Sequence, residues 1–295
     1  MEAINVKNTV NGKGMGWIPD RPDIRDFTKN TNGIPGLVER TGVLKMAVGN
    51  QPESVDLRQF CSPIVDQGEL GSCTANAASG VLEYFEIRAH GNFIPASRLF
   101  IYKATRDLLQ WTGDTGAYLR STMGAITLFG APPEKYWPYD IPAFENEPAA
   151  FHYAFASNYQ ALTYYRLDPP GTPANDLLAD IKAHAASGIP SMFGFAVYES
   201  IRHTANGNIP FPSPSENLLG GHAVMVVGYD NNRAVTNPLD GSTTTGAFII
   251  RNSWGTGWGD SGYGYIPYQY VLQGQADDFW VMVNQEYLET GKFDA

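Results

Sequence analysis

Cys73 stands in the segment Asp66-Gln67-Gly68-Glu69-Leu70-Gly71-Ser72-Cys73-Thr74-Ala75-Asn76-Ala77. Ala78, Val81, Leu82, Phe85 and Ala89 then recur at i, i+3, i+4, i+7 and i+11, and Gly91 follows. That spacing predicts a helix with Cys73 in its first turn and Ser72 placed to cap it. Free N–H groups and the positive end of the helix dipole favour an anion there, so a thiolate nucleophile is the chemistry to test. Gly71 beside it lets another backbone approach closely. A free cysteine is more often a small buried hydrophobe, and Cys61, which has no such placement, reads that way.

A thiol nucleophile needs a base, and the base needs an orienting group. His90, His152, His184 and His203 lie in polar or helical stretches and read as surface or satisfied core residues. His222 differs: Gly220-Gly221 precedes it and Ala223-Val224-Met225-Val226-Val227 follows, which puts an imidazole at the lip of a buried strand. A lone histidine there is still commonly structural. The third segment is Ala247-Phe248-Ile249-Ile250-Arg251-Asn252-Ser253-Trp254-Gly255-Thr256-Gly257-Trp258-Gly259. A neutral amide at a strand end can accept an imidazole N–H without adding charge, and Trp254 can shield that bond from water. A plain glycine-rich hairpin with core tryptophans does not require Asn-Ser-Trp at that point.

These side chains need a scaffold, and 295 residues suffice for one large domain or two lobes around a shared core. Further helices are predicted over Tyr118–Phe129, stopped by Gly130 and Pro132-Pro133, and over Asn175–Ala186, stopped by Gly188 and Pro190. The second half reads as strands at Met192–Tyr198, Ala223–Tyr229, Ala247–Asn252, Tyr263–Pro267 and Phe279–Val283. Helices first and strands second predict an α+β fold. Ala143–Pro173 has no clear assignment. Residues 1–53 show turn signals at Asn11-Gly12, Ile34-Pro35-Gly36 and Asn50-Gln51-Pro52, with few large apolar groups beyond Trp17, Ile18 and Phe27. They read as an extended arm: either a gate over the site or a structural strap.

A formal charge of −10, with no Lys/Arg cluster, argues against a nucleic acid partner. The apolar runs are too short to span a bilayer. Met1–Val10 carries no apolar signal segment, so the compartment stays unknown: cytoplasmic, or exported by another route. Two cysteines make no disulfide framework. Cys61, Cys73 and His222 lack metal-ligand spacing, and no cofactor is expected.

Gln67-x5-Cys73, then Gly221-His222-Ala223-x4-Gly228-Tyr229, then Asn252-Ser253-Trp254-Gly255-x2-Trp258-Gly259, in that order, resemble the papain family of cysteine peptidases, from about Ser54 to Val283. The resemblance implies a two-lobed fold: a helical lobe over about 54–170 whose central helix starts at the nucleophile, and a β-barrel-like lobe over about 171–290, preceded by the 1–53 arm. It implies Cys73 as nucleophile, His222 as base and later acid, Asn252 as orienter, and Gln67 with the Cys73 N–H as oxyanion donors. Gly116, in Asp114-Thr115-Gly116, falls where the family binds substrate main chain, and Gly221 and Trp254 join it as substrate-binding residues. It also implies an extended peptide or protein substrate that fills one apolar pocket near Met192, Phe193 and Phe195. Leu70 replaces the family's neighbouring cysteine and Thr74 the aromatic after the nucleophile, and the long helical propeptide is missing. The short arm, with Trp17-Ile18-Pro19-Asp20 and Arg25-Asp26, is closer to the bacterial xylellain-like type and implies that the arm is itself a partner of the cleft. A monomer is expected. An acyltransferase sharing the thioester intermediate, or a non-catalytic peptide binder, remains the alternative.

Overall fold

The structure, a computed structural model, describes residues 9–20, 23–41, 43 and 51–285. The turn at Asn50 and the ends of the chain lie outside them. The described helices are α1 (Ile34–Thr41), α2 (Cys73–His90), α3 (Arg98–Leu108), α4 (Leu119–Leu128), α5 (Ala150–Ala156), α6 (Ala174–Ala186) and α7 (Gln269–Leu272). The strands are β1 (Thr9–Val10), β2 (Lys13–Gly14), β3 (Ser54–Asp56), β4 (Ala161–Arg166), β5 (Ser191–Tyr198), β6 (Leu218–Thr236), β7 (Thr243–Arg251), β8 (Tyr263–Pro267) and β9 (Ala276–Gln285).

The chain is α+β, as the order of helical and alternating patterns predicts. The main sheet is antiparallel, in the order β4-β9-β5-β6-β7-β8, with β3 added to β6. Among the described residues its two ends do not pair, so the barrel-like part is an open sheet. Period-two alternation divides the core. Met192, Ala223, Met225, Val227, Ala247, Ile249, Trp280 and Met282 face α2, with Val81, Leu82 and Tyr84 of that helix. Phe193, Phe195, Val224, Val226, Phe248, Ile250 and Phe279 face the other way, against Leu177 and Ile181 of α6.

α2 begins at Cys73 and ends at Gly91, whose φ of 74° suits glycine in a helix C-terminal turn. Ser72 makes no side-chain cap; its hydroxyl pairs with Tyr139 Oη at 2.6 Å and accepts from Asn76 Nδ2 at 3.0 Å. Ala143–Pro173 resolves into α5 and β4, and β4 is fixed by pairing with β9. Ile34-Pro35-Gly36, which reads as a turn, opens α1, because proline fits the first turn of a helix, where its missing N–H costs nothing.

Candidate active site

α2 begins at Cys73, the first third of β6 carries His222, and the end of β7 leads into Asn252. All three side chains are buried. His222 Nε2 and Asn252 Oδ1 are 2.8 Å apart, and the Ser253 N–H also donates to that oxygen at 2.8 Å. The Asn252 oxygen thus receives two donors and holds the ring. Trp254 lies tilted against the imidazole at 4.6 Å, and Phe195 meets it edge-on at 5.9 Å. His222 Nδ1 has no hydrogen-bond partner. The backbone N–H of Ala223, the residue after His222 on β6, favours the thiolate form of Cys73.

Gln67 is buried with its amide fixed at both ends. Its Oε1 accepts from Ser253 Oγ at 2.6 Å, and its Nε2 donates to Leu70 O at 2.8 Å and Gly14 O at 3.1 Å. Ser253 was not among the residues singled out by sequence, although it stands inside Asn-Ser-Trp. Asp114 and Tyr102 are also new. Asp114 accepts the Gly71 N–H at 2.9 Å and the Tyr102 hydroxyl at 2.6 Å, and the same hydroxyl accepts the Gly116 N–H at 3.0 Å. A carboxylate and a phenol thereby tie the nucleophile loop to the Gly116 turn.

The arm runs through this site. β1 and β2 form a hairpin turned by Asn11 and Gly12, both in the left-handed region. Gly14 N–H donates to Gly68 O at 2.8 Å, Ala117 N–H to Gly16 O at 2.8 Å, Trp17 N–H to Gly221 O at 3.1 Å and Ile18 N–H to Ala117 O at 3.2 Å. The glycines make room. A Cβ on Gly116, at φ 74°, would stand 2.2 Å from Gly16 O, and one on Gly221 would stand 2.4 Å from Trp17 O. The Gly16 N–H points at the Cys73 sulfur. Trp254 has a second role: with Val10, Lys13, Asp66 and Trp258 it lines a cavity of about 570 Å³ at the hairpin end of the cleft. Lys13 and Asp66 pair across that end.

Burial decides the electrostatics. It pushes the Cys73 thiol up to about 11, against the N–H groups of Ala223, Gly16, Thr74 and Cys73 itself, and it pulls His222 down to about 4, against its bond to Asn252. Burial thus opposes the thiolate that the helix N-terminus favours. Cys61 is likewise pushed up to about 11 by burial. Of the expected pocket residues, Met192 faces the side of the sheet that Trp17 joins, whereas Phe193 and Phe195 face away from it.

The sequence profile described as papain family cysteine protease matches residues 51–277. An uncharacterized peptidase C1-like protein of Acanthamoeba polyphaga mimivirus is 34% identical over 292 residues, 92% of this chain and 86% of that one. Among solved structures, xylellain, a cysteine protease from Xylella fastidiosa, is 33% identical with a TM-score of 0.71, covering 92% of this chain and 96% of its own. A digestive procathepsin L 3 from Tenebrio molitor, 22% identical, shares the fold with a TM-score of 0.58 over 83% of this chain and 78% of its own. With a profile matched over most of its length, this chain belongs to the papain family of cysteine proteases.

Proposed function

We propose that the chain is a cysteine endopeptidase with Cys73, His222 and Asn252 as its triad, and that its N-terminal arm gates the site. The supporting observation is the path of Gly14–Trp17. An extended backbone crosses the cleft over Cys73, bonded to Ala117 on one wall and Gly221 on the other, with the Gly14 carbonyl on the Gln67 amide. A substrate main chain would replace those bonds. Because the arm passes Cys73 from Lys13 to Ile18 without ending there, an internal stretch of polypeptide can lie in the cleft, which favours an endopeptidase.

In the chemistry, Nδ1 of His222 takes the Cys73 proton while Asn252 holds Nε2. The thiolate adds to the scissile carbonyl, and Gln67 Nε2 with the Cys73 N–H receives the oxyanion, each such donor contributing about 3–4 kcal/mol. Collapse expels the amine, protonated by His222, and leaves a thioester. Water, deprotonated by His222, adds to the thioester, and its collapse releases the acid and restores the thiol.

A Gly16→Ala chain tests this, since its new Cβ would lie 1.9 Å from Gly71 O and keep the arm out without touching the triad. It should cleave internal bonds of peptides faster than the parent chain, and Cys73→Ala in the same background should abolish cleavage. No cleavage by Gly16→Ala overturns the peptidase assignment, equal rates overturn the gate, and products conjugated to an added amine in place of free acids make the chain a transferase.

A further inference from the structure

Among the described arm residues along the cleft, Trp17 is buried and is the largest. It lies in a slot made by missing side chains: a Cβ on Gly194 would stand 1.8 Å from its indole, and one on Gly221 2.8 Å from its ring. The slot has a polar end. Trp17 Nε1 donates to Asp278 Oδ2 at 3.2 Å. Asp278 is fully buried, and its φ of 66° places a non-glycine residue in the left-handed region, so the carboxylate is held in this spot at a backbone cost. Its other oxygen accepts from Trp280 Nε1 at 2.7 Å and lies 3.4 Å from the Arg166 guanidinium.

Once the arm leaves, Asp278 Oδ2 loses the Trp17 donor and faces the emptied slot. A buried acceptor without a donor is costly, so a side chain that restores the bond is favoured over one that does not. Departure of the arm takes two carboxylates from around the slot, so the Asp278 oxygen, and not the surrounding charge, is what would recognise a donor. Arg120 and Arg166 stay with the body of the protein, but so do Asp168, Asp277 and Asp278, while Asp20 and Asp26 belong to the arm.

We propose that this slot is a substrate side-chain subsite and that Asp278 makes it select residues ending in an N–H donor, namely tryptophan, arginine or lysine, over the purely apolar residues implied by resemblance. The inference rests on the proposal that the arm occupies the substrate cleft. Arm and substrate would compete for the same carboxylate.

The test uses the full chain and reads iodoacetamide labelling of Cys73, which reports arm release and not turnover. Trp17→Phe keeps the ring and loses the N–H, and should speed labelling about tenfold, as for loss of one hydrogen bond to a charged group. Trp17→Arg should label more slowly than Trp17→Phe. Asp278→Asn, a residue that tolerates the left-handed region, should erase the difference between tryptophan and phenylalanine at position 17. The Trp17→Ala chain, offered a peptide library, should prefer Arg, Lys or Trp over Leu or Phe at one position about tenfold, and lose the preference with Asp278→Asn. Equal labelling of the parent and Trp17→Phe chains, or a library preference for Leu or Phe, overturns the inference while leaving the gate intact. If Trp17→Ala labels no faster than the parent, the gate itself falls, and this inference with it.

Discussion

Gln67 donates to Gly14 O while its own oxygen is held by Ser253, so its amide is oriented before any substrate arrives. Preorganised donors of this kind act on the transition state. In the Gly16→Ala background, Gln67→Ala should lower kcat by about 10²–10³ with little change in KM; a change confined to KM would remove Gln67 from the oxyanion hole. Ser253→Ala frees the amide to rotate without deleting it, and its kcat should fall by about tenfold only, the cost of one lost hydrogen bond. Cys73, His222, Asn252 and Gln67 could be singled out as candidates because each sits in a dense local motif. Ser253 and Asp278 were not read as site residues. The partner of Ser253 lies 186 residues away and that of Asp278 261 residues away, so neither leaves a local pattern.

The arm runs along the cleft in one segment and ties onto the body in another. Val10 to Ile18 lies along the cleft. Beyond Phe27, whose carbonyl accepts the Arg166 N–H at 2.7 Å, the chain becomes a strap, and Ile34, Val38 and Val43 enter the core that faces α6. Phe27 is no cleft anchor: it is 47% exposed and packs edge-on against Tyr164. The two roles separate by substitution. Ile34→Ala should cost about 2–5 kcal/mol of stability by denaturant titration and leave Cys73 labelling of the native protein unchanged. Gly16→Ala should do the reverse. If Ile34→Ala frees Cys73 while the fold remains intact, gate and strap are one device. α3 escaped the sequence reading for a related reason: Arg98, Lys103, Thr105 and Arg106 are buried on it, which breaks the apolar stripe. Arg98 is held by Glu134 and stacks on Tyr139, and Arg106 is held by Glu145 and stacks on Tyr102, partners that only the tertiary fold supplies.

At the scale of the molecule, an arm that gates access to His222 would be linked to pH through that residue. Burial in the closed site, against Trp254 and Phe195, pulls this histidine down to about 4, whereas an exposed imidazole titrates near its ordinary value of 6.5. The closed state therefore binds the proton less tightly than the open one. Its advantage is complete above pH 6.5 and declines as pH falls from 6.5 towards 4, by up to about 3 kcal/mol in all. Asp278 acts in the opposite sense: pushed up to about 6 by burial, it favours the protein that buries it below about 3.8, an advantage lost as pH rises through 6. Asp278 lies in the body of the protein and keeps Trp280 and Arg166 when the arm lifts, so most of its shift is common to both states and cancels. If lifting the arm opens the imidazole to water, acid should release the arm. Hydrogen exchange at the Trp17, Ile18 and Ala117 amides, which close the arm onto the cleft, reads this directly. Corrected for the intrinsic rate, their protection should drop by about twentyfold between pH 7 and pH 5. It should drop far less in Asn252→Asp, whose carboxylate would keep the buried imidazole protonated. Protection that holds steady or rises on acidification in the parent chain would show that His222 does not govern the gate.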